Sequence, residues 1–211
     1  MVMPESALKN EYILEVQHVA KSFGKLNVLK DVSFGIRQGE IVGIVGENGA
    51  GKSTLLKILV GLLSPTDGEV VAIKGKMGYC PQELLTFETL TVRENFCYFA
   101  AAYGLNEWQE TKDDLLDRFR FRQYEDMLVS KLSSGTKQKL NLAIALLHLP
   151  DVLILDEPYS GFDWETYLHF WDFTGELKLK KKSILIISHL VYDQSKFDTL
   201  FELKSGVLKC V

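Results

Sequence analysis

A chain of 211 residues, 46% apolar and 25% charged, has the balance of a folded domain that buries a sizeable core. Its 24 basic and 28 acidic residues leave a net charge of −4, which argues against a protein built to coat nucleic acid. No run approaches the roughly 20 apolar residues of a membrane span, the segment around Pro4, Glu5 and Lys9 has no leader-like stretch, and Cys80, Cys97 and Cys210 lack metal-ligand spacing.

Short apolar runs bounded by turn signals predict strands at Tyr12–Val16 and Asp31–Ile36, the second ending at Gln38-Gly39. Ile41–Val45 is continuous, apolar and rich in β-branched residues, which suits a central strand covered on both faces. The period then changes. Leu55, Ile58, Leu59 and Leu62 share one face of a helix that Ser64-Pro65 closes. From about Leu84 to Leu149 the composition is helical, with segments 91–103 and 107–119 separated by Gly104. A third helix over 135–149 places Leu140, Ile144 and Leu147 on one face before Pro150. Val152–Leu155 and Ser183–Ser188 read as buried strands. Between them, Trp164, Tyr167, Phe170, Trp171 and Phe173 have the spacing of a helix face turned to the core or to a protein partner, and Lys178, Lys180, Lys181 and Lys182 suit a solvated helix end or a contact with anionic lipid headgroups. The pattern predicts an α/β fold with a mostly parallel sheet and a helical insert.

Gly46, Glu47, Asn48, Gly49, Ala50, Gly51, Lys52 and Ser53 fit G-x-x-x-x-G-K-[ST] between a predicted strand and a predicted helix. Such a loop turns successive N–H groups inward on phosphate oxygens and adds the helix dipole. Lys52 can then reach the β and γ phosphates, and the Ser53 hydroxyl can ligate Mg²⁺. No Asn-Lys dipeptide is present to read guanine. Asp156 and Glu157 end an apolar strand, at the sheet edge where ligands sit in open α/β folds. Leu132–Gln138 opens a helix with Ser133, whose hydroxyl and neighbouring N–H groups could take a phosphate.

Taken together, these motifs resemble the ABC ATPase family over nearly the whole chain. They run in the family's order: Phe23 at the aromatic A-loop position, the Walker A loop 46–53, Gln82 in Tyr79–Gln82, the signature 132–138, Walker B at 152–157, the D-loop Ser160–Asp163 and the switch His189. The resemblance implies a P-loop NTPase of the RecA-like type. One domain would span 1–211, with a nucleotide-binding core at about 1–83 and 150–211 and a helical signature lobe at about 84–149.

ATP and Mg²⁺ are the implied cofactors. Phe23 would stack on adenine, with Val28, the 46–53 loop, Thr54 and Gln82 completing the nucleotide site. Ser53 and Gln82 would ligate Mg²⁺, with Asp156 acting through water. Glu157 would be the general base, Lys52 and His189 would hold the γ-phosphate, and Asp163 would reach the opposing subunit. Ser133, Ser134, Gly135 and Thr136 would contact the ATP of a partner, because the family pairs two ATPase subunits head to tail, identical or not. Two positions depart from the usual signature: Ser134 stands for a glycine and Thr136 for a glutamine. The short stretch between Gly68 and Gly78 implies a reduced antiparallel β-layer.

The resemblance further implies a separate transmembrane permease and a location on the cytoplasmic face of the cell membrane. Leu84, Leu85, Phe87 and Leu90 are candidates for the permease contact, or for packing of the lobe. Leu90–Asn95 and Ala101–Gly104 resemble ATPases of exporters. Two other classes remain: a soluble ABC protein acting on ribosomes or DNA, and a non-hydrolysing scaffold. The single cassette and the intact Lys52, Glu157 and His189 disfavour them.

Overall fold

The computed structural model describes residues 12–189, 191 and 193–211, so Pro4, Glu5 and Lys9 lie outside the described residues. Two sheets organise the chain. The larger has six strands in the order β5-β6-β7-β3-β8-β9. These are β3 (Ile41–Val45), β5 (Met77–Cys80), β6 (Val152–Asp156), β7 (Ser183–Ser188), β8 (Thr199–Lys204) and β9 (Val207–Cys210). All neighbours are parallel except β8 and β9. The smaller sheet is antiparallel, ordered β2-β1-β4, from β1 (Tyr12–Phe23), β2 (Leu26–Arg37) and β4 (Asp67–Ile73).

The central strands are apolar at every turn because both of their faces are covered. Val42, Ile44, Val152, Ile154, Leu185 and Ile187 pack towards the antiparallel sheet and helix α1 (Lys52–Leu59). Ile41, Leu153, Leu155, Ile184 and Ile186 pack into a second core with the helices of the insert and the last helix. Those are α2 (Val92–Ala102), α3 (Gln109–Arg118), α4 (Ser134–Leu146) and α5 (Trp164–Leu179). Among the described residues, no helix is long and apolar enough to cross a membrane.

Several boundaries differ from the periodicity, four of them by enough to need a reason. β1 and β2 run well beyond Tyr12–Val16 and Asp31–Ile36, since an antiparallel sheet with one wet face carries residues such as Gln17 and Lys30 that break an apolar run. Helix α1 stops at Leu59. The N–H groups of Leu62 and Leu63 both turn back to the Lys57 carbonyl, at 2.8 and 3.0 Å, so Leu62 leaves the buried face and is 71% exposed. Helix α4 ends at Leu146, short of 149. Leu140, Ile144 and Leu147 are buried as expected, while Leu149 takes a φ of 53° and points to solvent.

Helix α2 begins on a capping box in which Thr91 and Glu94 satisfy each other's backbone N–H groups. On α5, Tyr167, Phe170 and Trp171 are buried, Phe173 is partly buried, and Trp164 is exposed. Two lysines of the basic run are spoken for: Lys178 pairs with Asp198, and Lys182 with Asp151 at 2.8 Å. Cys80 is buried, Cys97 and Cys210 are exposed, and all three are free thiols.

Candidate active site

Strand β3 delivers the chain to the phosphate-type loop at the C-terminal edge of the parallel sheet, and α1 leaves from it. Gly51, the N-cap of α1, has φ 107°, and an added Cβ would stand 2.9 Å from Leu29 and 3.1 Å from the Val28 carbonyl. Only glycine permits that turn against β2. The Lys52 ammonium donates to the Gly46 carbonyl at 2.6 Å and to the Glu47 carbonyl at 3.1 Å, so it arches back over its own loop.

A cleft of about 430 Å³ opens over this loop. Asn48, Gly49, Gly51, Lys52, Ser53 and Thr54 form its floor, and Val28 of β2 forms one wall. Gln82, Asp156, Glu157 and His189 complete its lining. The cleft thus joins three separate strand ends, β5, β6 and β7, to the loop after β3. Gly46, Glu47 and Ala50 belong to the loop without lining this cleft; Glu47 and Ala50 face a smaller hollow beside Lys204. Phe23 ends β1 at the same tip of the antiparallel sheet as Val28, half exposed, with the Lys21 ammonium 5.3 Å from its ring centre.

Glu157 is 7% exposed and sits at φ 49°, its N–H bonded to the Ile187 carbonyl of β7 at 2.9 Å. A non-glycine residue at that φ is held by its surroundings. Its carboxylate oxygens are both engaged. Oε1 accepts from the His189 N–H at 2.7 Å and faces His189 Nδ1 at 2.8 Å, and Oε2 accepts the Ser188 hydroxyl at 2.8 Å. An ionised carboxylate only accepts, so Nδ1 carries the ring proton and Nε2 is left free of Glu157. The motifs do not name Ser188 as a functional residue, although its place just before His189 put it within reach.

Asp156 is only partly buried, yet its carboxyl is pushed up to about 6, first by burial and then by the neighbouring Glu157; Lys52 acts in the opposite sense. Tyr79, on the next strand, is raised to about 12 by burial and by Asp156. The cleft therefore holds excess negative charge beside hydroxyl and amide oxygens. Among the described residues no group of His, Cys, Asp or Glu could hold a metal unaided.

Ser133 caps α4, its hydroxyl taking the Thr136 N–H at 3.2 Å and lying 2.9 Å from the Thr136 hydroxyl. Ser133, Ser134, Gly135 and Thr136 do not line the cleft that holds Lys52. Asp163 caps α5 through the Thr166 N–H at 2.7 Å. With Ser160 and Trp164 it lines a second cleft, about 440 Å³, which Glu157 and His189 also line.

Residues 29–160 match the model of the family described as ABC transporter. The chain is 36% identical over 196 residues to the ABC transporter ATP-binding protein NatA of Bacillus subtilis (strain 168), covering 86% of this chain and 80% of that protein. It is 33% identical over 200 residues to the probable multidrug ABC transporter ATP-binding protein YbhF of Escherichia coli (strain K12), covering 89% of this chain but 34% of that longer protein. A solved ATP binding subunit of an ABC transporter is 30% identical, covers 94% of this chain and 90% of its own, and superposes with a TM-score of 0.85. The chain belongs to the ABC transporter family, as one of its ATP-binding, ATP-hydrolysing subunits.

Proposed function

We propose that this chain powers an exporter, working as one of two ATPase subunits docked from the cytoplasm onto a separate transmembrane permease. The observation that carries the reading is a separation. Lys52, Ser53, Gln82, Asp156, Glu157 and His189 share one cleft, while Ser133–Thr136 lie outside it. A signature that cannot reach its own nucleotide is supplied to another chain's. The core at about 1–83 and 150–211 would hold the nucleotide, and the lobe at about 84–149 would carry the signature to the partner.

In this reading the loop from Gly46 to Ser53 wraps the phosphates, Thr54 and Val28 flank the nucleotide, and Phe23 takes the adenine ring on its π face. Lys52 leaves the carbonyls of Gly46 and Glu47 for the β and γ phosphates. Glu157 orients and polarises the attacking water, and Ser188 and His189 hold its carboxylate in place. His189 keeps the γ-phosphate in line, and Asp163 meets the opposing subunit beside the second cleft.

Mg²⁺ fits the donor set. Ser53, Gln82 and the Asp156 carboxylate offer hard oxygens, too few for a protein-only cage, and Mg²⁺ completes its shell with phosphates and water. Bound there, Mg²⁺ would supply positive charge against the phosphates, with Ser53 and Gln82 holding it and Asp156 acting through water.

Leu84, Leu85 and Phe87 are exposed beside Gln82, and Leu90 is half-buried, which suits a permease contact placed next to the nucleotide sensor. The multidrug name of the Escherichia coli relative supports export. Glu157→Gln tests both halves. ATP should bind and drive two chains together, with hydrolysis at least about 100-fold slower, and a multi-span membrane protein should co-purify from detergent extract. Undiminished turnover sinks the catalytic assignment, and a preparation free of membrane protein sinks the transport one.

A further inference from the structure

Residues 81–88 cross from the end of β5 to the helical lobe without regular secondary structure. Burial holds little of its middle, since Leu84 and Leu85 face solvent, although the Phe87 ring packs edge-on against Tyr98, 4.5 Å between centroids. Buried amides hold it instead. Asn141, in the middle of α4, is 2% exposed. Its Nδ2 donates to the Pro81 carbonyl at 2.9 Å and to Cys80 Sγ at 3.4 Å, and its Oδ1 accepts from the Leu85 N–H at 3.2 Å. One amide therefore grips the backbone on both sides of Gln82.

Further along, Asn95 of α2 is fully buried; it accepts from the Phe87 N–H at 2.8 Å and donates to the Phe87 carbonyl at 3.1 Å. Lys137, one turn before Asn141 on the same face of α4, pairs with Glu88.

Asparagine is a costly choice for that site. Leu140, Leu142, Ala143 and Ile144 around it are all buried, and an amide there without partners loses free energy. Every polar atom of the Asn141 side chain is satisfied by the 80–85 segment and by nothing else in the described hydrogen bonds. The residue type answers to the loop.

We propose that Asn141 is a positioning residue that locks the loop carrying Gln82 to the signature helix, so that α4 moves as one body with Gln82 when Gln82 engages the γ-phosphate. This rests on the reading of Gln82 and Ser133–Thr136 given above. A rigid helix with its grip point two turns from its N-terminus carries any displacement of the loop to Ser133–Thr136, which must meet the partner's nucleotide. Lys137 and Glu88 add a second strut in the same register.

The test is a double-mutant cycle on the full chain, following ATP hydrolysis against ATP concentration for Asn141→Ala, Gln82→Ala and the pair. Asn141→Ala should lower kcat about tenfold with KM within about twofold, because the nucleotide cleft itself is untouched. The double variant should be no slower than Gln82→Ala alone. That last result is the one a general loss of stability does not produce, and thermal melting of each variant accompanies it. If the two losses multiply, or if Asn141→Ala turns over normally, the proposal is overturned while the site assignment stands. If Gln82→Ala itself is as fast as the parent, the site assignment falls and this proposal falls with it.

Discussion

Asp156 and Glu157 are adjacent in sequence and unlike in environment. Glu157 is almost fully buried and clasped by Ser188 and His189, whereas Asp156 has no such donors and its carboxyl rises to about 6. The folded apo chain thus binds more protons than the unfolded chain between about pH 4 and 6. Through this group its stability falls as pH rises across that window, and the loss is complete above it. Asp156→Asn removes the loss. In EDTA at pH 7.5 the variant should gain about 1 kcal/mol, discounted for the residue's partial exposure, and melt roughly 2–4 °C higher. At pH 4.5 most of that gain should be gone. An equal gain at both pH values would show that the charge is not the cause.

At this scale the sequence was legible where chemistry demands fixed spacing. Lys52 and Ser53 belong to one loop, and Asp156 and Glu157 to one strand end. It was silent where contacts span long separations: Ser188 on Glu157 across 31 residues, and Asn141 on Pro81 across 60. A serine at a strand end and an asparagine in a helix carry no periodicity to announce their partners.

Among the elements, the turn between β8 and β9 bears on the site from outside it. Gly206 has φ 79°, its carbonyl accepts the Lys30 N–H of β2 at 2.9 Å, and an added Cβ would stand 2.4 Å from the Val28 carbonyl. Gly206→Ala should cost about 2 kcal/mol. It should also weaken nucleotide binding, by pushing β2 and Val28 away from the phosphate loop. Gly104→Ala, at φ 67° with nothing near the new carbon, is the control and should cost about 1 kcal/mol with binding unchanged. Calorimetric titration with ATP separates the two.

Central strands such as Ile41–Val45 and Ser183–Ser188 emerge with the bounds their apolar runs set, because burial on both faces keeps their interiors free of polar residues. The long hairpin of β1 and β2 was half hidden, since its exposed face reads as loop. Helix α1 was overestimated, because periodicity carried Leu62 onto its face while backbone bonds to Lys57 had already ended it.

Over the whole molecule, the two cores share the parallel sheet as a common wall. Residues of β6 and β7 alternate between them, so neither core has a complete boundary without the other. The helical insert is bound into one of these cores through Phe96, Leu116 and Leu140, each fully buried. The α/β class and the insert were readable from the change in period along the chain; the strand order was not, because it depends on which distant runs pair.

That order has a consequence for synthesis. β3, which launches the phosphate loop, is hydrogen-bonded to β7 and β8 alone, and both follow Lys182. A ribosome that has released Lys52, Gln82 and Glu157 has made every residue of the cleft but His189, and still lacks the scaffold that shapes it. A polypeptide stopped after Lys182 should therefore take up no ATP in an equilibrium dialysis, which makes the engine inert until β7 and β8 have been made.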